Sequence, residues 1–344
     1  MTLPLVLALA AATLAQPATT QPAEQPKPAA DKPAEATKPD TLKADPTTKA
    51  DPSKAADWPF TTAKAETVGT GYTFTEGPTW TPASGGMFVF CDMAGNKVFG
   101  WNMTDAPKVL RDPADNCIGS TTDKDGRIVQ VETKARRIIR WELSGGKAGP
   151  VTEVASKMDG QPLGGMNDLV VRKSDGSIYV SQQTWFMRDP AERSKVKFIG
   201  VIRIAPDGKV TGASGGMKAP NGLCFSPDEK TLYVTEYSEG RIYSCEVKAD
   251  GSLGDRKVFA DLGAMAKERG VEGRGGADGI RCDEKGNLYS TGPGGIWVVS
   301  SAGKFVAMLP GRATNLCFGG PDGKTLFITT GSEVLKIGTK NKGL

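Results

Sequence analysis

Histidine is absent from all 344 residues. Its absence excludes a Ser-His-Asp or Cys-His mechanism, an imidazole base and a His-ligated zinc site. Any hydrolytic chemistry falls to carboxylates, amides, Lys, Tyr or a hard metal ion. The formal net charge is only +4 and the basic residues form no run or stripe. Nucleic acid is therefore not an expected partner. No apolar stretch reaches the roughly 20 residues that a transmembrane helix needs. No segment keeps a helical period over several turns. The best short helix candidates are "DLGAMAKERG" (261–270) and "DPAERSK" (189–195), both expected within loops.

Turn formers are plentiful instead, with 43 Gly and 23 Pro. They argue for an all-β fold with many short strands. The apolar run Leu3–Ala15 ends in small residues, like the core and cleavage site of a secretory signal, although it lacks a basic leader. Residues 1–15 are therefore expected to direct export, to the periplasm or the exterior. Residues 16–57 are Ala, Pro, Thr, Lys and Asp with six Lys against seven acids. Such a tract buries too little apolar surface to offset its ordering entropy, so it is expected to be a disordered linker. The folded domain is expected over 58–344.

Within that domain, β-branched and aromatic runs come in pairs: "MFVFCD" with "KVFGW", "TLYVTE" with "RIYSCEV", "NLYST" with "GIWVV". The first strand of a pair mostly follows a Gly-containing turn such as "KDGR", "SDGS" or "EKGN". One slot opens each unit: Glu76, a weak slot within Asn116–Gly119, Asn167, Asn221, Asp278 and Thr314. Clear steps are 221 − 167 = 54 and 278 − 221 = 57 residues. Six units of that size predict a six-bladed β-propeller with four-stranded antiparallel blades. The six cysteines have no metal-site spacing. Cys224, Cys282 and Cys317 recur at nearly one offset in their units, which favours mostly reduced, buried residues.

In a propeller the starts of the innermost strands converge at one mouth of the central channel. Four slots bring Glu76, Asn167, Asn221 and Asp278 there: two carboxylates and two amides, all hard oxygen donors. Ca²⁺ suits this set best; Mg²⁺, Mn²⁺ or Zn²⁺ are the alternatives.

The motifs "EGPTW", "MNDLVVRKSDGSIYVS", "APNGLCFSPDEKTLYVTE", "ADGIRCDEKGNLYSTGPGGIWV" and "TNLCFGGPDGKTLFIT" occur in that order from Glu76 to about Thr330. As a set they resemble the gluconolactonase-like, senescence-marker-protein and luciferin-regenerating-enzyme family, bacterial gluconolactonases above all. The resemblance implies one divalent metal, usually calcium, on Glu76, Asn167, Asn221 and Asp278. It also implies hydrolysis of a small-molecule sugar lactone or related ester. Asp278 is then the expected general base, Asn167 touches metal and substrate, and Asp168 orients the ligands from behind. Gln182, Gln183 and Trp185 are the candidate specificity residues.

Several positions depart from the family pattern. "GGMND" stands for the bacterial "SPND". Gly165 stands where animal relatives carry an Arg. Ser181–Phe186, "SQQTWF", replaces "TDPPYG", and Thr133 takes the place of a His. These changes alter the pocket wall and spare the oxygen donors. Two other functions fit the same fold: phosphoester or fluorophosphate hydrolysis with Asp278 as nucleophile, and a non-catalytic exported propeller that binds a sugar or envelope partner.

Overall fold

The structure is a computed structural model that describes residues 56–273 and 275–344. The expected signal and nearly all of the expected linker lie outside the described residues. Among those described, six four-stranded antiparallel sheets follow one another along the chain. We number them as blades 1 to 6. Their inner strands are Thr75–Thr81, Cys117–Thr122, Gly165–Val171, Pro220–Phe225, Ile280–Cys282 and Asn315–Gly319. Consecutive inner strands pack side by side, and the last returns to the first. The result is the expected six-bladed β-propeller.

Blade 4 shows how sequence makes a blade. Pro220–Phe225, Thr231–Glu236, Arg241–Glu246 and Lys257–Asp261 pair in order as a meander. The two inner strands are almost wholly buried, because both faces of a blade pack on a neighbour. Alternate residues therefore serve different interfaces. In blade 3, Ile178 and Val180 pack toward blade 2, while Tyr179 packs toward blade 4. Each of the six blade interfaces has its own apolar cluster. A fully buried side chain in such a cluster contributes about 1.5–3 kcal/mol.

The ring is closed by a strand from the N-terminal side. Glu66–Thr70 pairs with Glu333–Gly338 and becomes the outermost strand of blade 6. Thr314 donates its hydroxyl to the Thr75 carbonyl at 2.9 Å. Phe88 of blade 1 stacks on Phe327 of blade 6 with ring centroids 4.4 Å apart. Trp58 and Phe60 are buried against blades 5 and 6.

The two short helices form where expected, at Pro190–Lys195 and Leu262–Glu268. Asp189 and Asp261 cap them, accepting from the N–H groups of Ala191 and Ala264. Cys224, Cys245, Cys282 and Cys317 are free and buried. Four free thiols out of six cysteines agree with the expectation of mostly reduced residues, and the remaining two, Cys91 and Cys117, form a disulfide. It joins blade 1 to the inner strand of blade 2, because the two strands run side by side at that interface.

Candidate active site

The six slots come together through the backbone of the inner strands. Pairing with the second strand breaks between Glu76 and Thr79, Cys117 and Ser120, Met166 and Leu169, and Pro220 and Leu223. In blades 2, 3 and 4 the break is a bulge that holds the slot residue and the one after it, while in blade 1 it holds Gly77 and Pro78, just after the paired Glu76; bulges re-aim side chains. The residue after the slot faces the neighbouring blade at backbone distance. Four of these are Gly77, Gly119, Gly222 and Gly279. A Cβ on Gly279 would lie 2.6 Å from the Asn315 Cα, and one on Gly119 would lie 2.8 Å from the Asp168 Cα. The weak second slot resolves to Ile118, whose carbonyl abuts Gly77.

Two members of that column are not glycine: Asp168 in blade 3 and Asn315 in blade 6. Their side chains meet across the ring. Asn315 Nδ2 stands 3.3 Å from Glu76 Oε2 and 3.3 Å from Asp168 Oδ2. Arg281 of blade 5 reaches the same Asp168 oxygen at 3.4 Å and its own strand at Ile280 O at 2.7 Å. Asp168 is fully buried, and its other oxygen accepts from Leu169 N–H at 2.8 Å. Sequence reasoning named Asp168 but passed over Asn315 and Arg281. The signal was present: in a column of glycines, only positions 168 and 315 carry polar side chains.

Glu76, Asn167 and Asn221 are buried, while Asp278 keeps partial exposure. Asn221 donates a side-chain hydrogen bond to Asp278. Its own Oδ1 is buried with no hydrogen-bond partner. Desolvation pushes the Glu76 carboxyl up to about 8, helped by Asp168 and opposed by hydrogen bonds from Gly77, Asn315 and Thr314. Asp278 is held well above the usual carboxylate range by desolvation, then by Glu76 and Asp168. Among the described residues, two carboxylates thus lack a salt-bridge partner beside an amide oxygen that lacks a donor. Among the described residues, no three His, Cys, Asp or Glu side chains gather to hold an ion. A cation would need the amide oxygens as well as the carboxylates, and an oxygen donor set of this kind suits a hard divalent ion.

The second strands fix the approach to the slots. Asp92 accepts from Thr73 and Phe74 N–H at 3.1 and 2.8 Å. Glu236 accepts from Lys218 and Ala219 N–H at 2.9 and 2.7 Å. Gln182 holds the equivalent place in blade 3: its Oε1 accepts from Gly164 N–H at 2.9 Å, and its Nε2 donates to Phe198 O at 3.0 Å. Its amide is committed to backbone. Gln183 is 1% exposed and neither its Nε2 nor its Oε1 has a partner. The Thr133 hydroxyl, at the same place in blade 2, is likewise buried and unpaired. Trp185 is half-exposed and packs edge-on to Tyr237 of the next blade, with centroids 5.4 Å apart.

Comparison with known proteins gives a consistent picture. The profile of the "SMP-30/Gluconolactonase/LRE-like region" matches residues 74–332. The chain is 26% identical over 304 residues to a gluconolactonase of Zymomonas mobilis, covering 81% of this chain and 82% of the relative. It is 26% identical over 270 residues to regucalcin of Xenopus laevis, covering 76% and 84%. Among solved structures, the gluconolactonase XC5397 of Xanthomonas campestris superposes with a TM-score of 0.70 at 30% identity, covering 82% of this chain and 91% of that one. A calcium-binding regucalcin of Agrobacterium tumefaciens reaches 0.65 at 22% identity, covering 83% and 96%, a likeness of fold alone.

Proposed function

The chain belongs to the SMP-30/Gluconolactonase/LRE-like family, and from that premise we propose that it hydrolyses a sugar lactone with a divalent cation, calcium first, in its central channel. The observation that carries the cation is the unpartnered Asn221 Oδ1 beside the desolvated carboxyls of Glu76 and Asp278. Glu76, Asn167, Asn221 and Asp278 would hold the ion. When bound, it supplies Lewis-acid polarisation of the lactone carbonyl.

The chain's own residues do the rest. Asp278 is the member of the set with open surface. It accepts a proton from a water as that water adds to the carbonyl carbon. The bond from that carbon to the ring oxygen breaks, and the proton passes to the ring oxygen, giving the open hydroxy acid. Asn167 aligns the substrate from blade 3. Gln183 offers one donor and one acceptor, the pair a sugar hydroxyl can satisfy. The exposed Trp185 ring, edge-on to Tyr237, offers an apolar surface two residues further on.

A panel of aldonolactones assayed with calcium and with chelator tests this reading. Calcium-dependent acid release from at least one member is expected. Saturable lactone binding with no calcium-dependent turnover overturns it in favour of a binding propeller.

A further inference from the structure

Glu76 of blade 1 and Asp168 of blade 3 share the Asn315 side-chain amide, which lies 3.3 Å from each, and both act by their charge on Asp278 of blade 5. Among the described residues, the cation paired with this group is Arg281, at Asp168. Arg281 lies in the inner strand of blade 5, three residues after Asp278, and its side chain is 17% exposed. It spans from blade 5 to blade 3 to reach Asp168 Oδ2 at 3.4 Å, braced on the Ile280 carbonyl at 2.7 Å. Asn315 then bridges that Asp168 oxygen to Glu76. Arg and Asp are both drawn from water here, and each would be costly to bury alone.

We propose that Arg281 is a positioning residue that fixes the charge of the cation site. It binds Asp168 as an internal ion pair, keeps that carboxylate out of the ion's shell and leaves two negative charges for one divalent ion. Three carboxylates less one guanidinium gives that balance. Asn315 transmits the arrangement to Glu76 without adding charge, since an amide can donate to both carboxylates at once. The inference rests on the cation reading above and deepens it: the ratio of trivalent to divalent affinity at the site is set by a side chain that never touches the ion.

The test is calorimetric titration of the metal-free full chain with Ca²⁺ and, separately, Tb³⁺. Arg281→Met removes the cation and raises the ratio of Tb³⁺ to Ca²⁺ affinity about tenfold or more, as expected for one unit of charge at short range. Asp168→Asn moves the ratio the other way. The double variant returns it toward wild type, and Arg281→Lys keeps it. A merely structural role would weaken both ions together and leave the ratio alone. Calcium binding by Arg281→Met with an unchanged ratio overturns the proposal. Should that variant not fold, an unchanged ratio in Asp168→Asn does the same. Wild-type protein that binds neither ion refutes the cation reading itself, a different failure from wild-type binding with insensitive variants.

Discussion

Gly222 lies so close to Asp278 that a Cβ added to the glycine would stand 2.5 Å from the Asp278 carbonyl oxygen. The Gly222 N–H donates to that oxygen at 3.2 Å, and the Thr235 hydroxyl donates to it at 2.6 Å. Blade 4 therefore sets the position of Asp278 in blade 5. "Asn-Gly" at 221–222 reads as a turn, yet its glycine is there for close approach between inner strands.

Gly222→Ala forces blades 4 and 5 apart or shifts the Asp278 backbone. Overpacking of this kind costs about 1–3 kcal/mol. A lowered Tm together with a lowered kcat is expected. An unchanged Tm, measured by calorimetry, would contradict the close approach.

The metal-free protein should lose stability as pH rises. Glu76 has an ordinary value of 4.5 and is pushed up to about 8 in the folded chain. Between those values the folded chain keeps a proton that the unfolded chain has released, so stability falls with pH across that window and levels off above it. Asp278 acts in the same direction. A calcium ion on the ionised carboxylates would offset the cost. Tm measured from pH 5 to 8 should slope downward in chelator and flatten in calcium. A rising Tm in chelator would contradict the placement of these carboxyls.

Gln183 separates binding from stability. A buried amide without partners costs folding free energy, on the order of 1–3 kcal/mol. Gln183→Leu should therefore fold at least as stably as wild type while raising KM for a lactone several-fold. Gln182→Leu should do the reverse, lowering Tm because Gly164 N–H and Phe198 O lose their partner. Kinetics and melting on the two variants check the contrast, and a stability loss in Gln183→Leu would sink it.

The cysteines offer a direct chemical count. Denatured, unreduced protein should expose four reactive thiols, and the Cys91–Cys117 peptides should run as one species until reduced. Native protein should alkylate slowly at all four, since each is buried and burial raises the thiols of Cys224, Cys282 and Cys317. Six reactive thiols after denaturation would remove the bridge.

Much of the propeller is legible because its repeat lies in side chains with local meaning. Gly turns precede β-branched strands, and the slots recur at similar steps. The closing strand Glu66–Thr70, "ETVGT", is not legible: it pairs with a strand about 270 residues away (336 − 66 = 270), and an outermost strand carries little apolar pattern. The slot residues were visible as a series. Asn315 carried a signal only as a polar side chain in a column of glycines, and Arg281 carried none, because its role arises from a contact between blades 5 and 3. Adjacent Gln182 and Gln183 look alike in sequence. Strand alternation sends one to the backbone of its own blade and leaves the other without a partner.

The central claim is that Asp278 serves as base beside a divalent cation. Its most direct test is lactone hydrolysis by wild type and Asp278→Asn, each in saturating calcium and in chelator, with folding checked by circular dichroism. Wild type should turn over only with calcium. Asp278→Asn should keep the fold and lose about a thousandfold or more in kcat, as removal of a general base does. Wild-type turnover in Asp278→Asn, or undiminished wild-type turnover in chelator, would contradict the account.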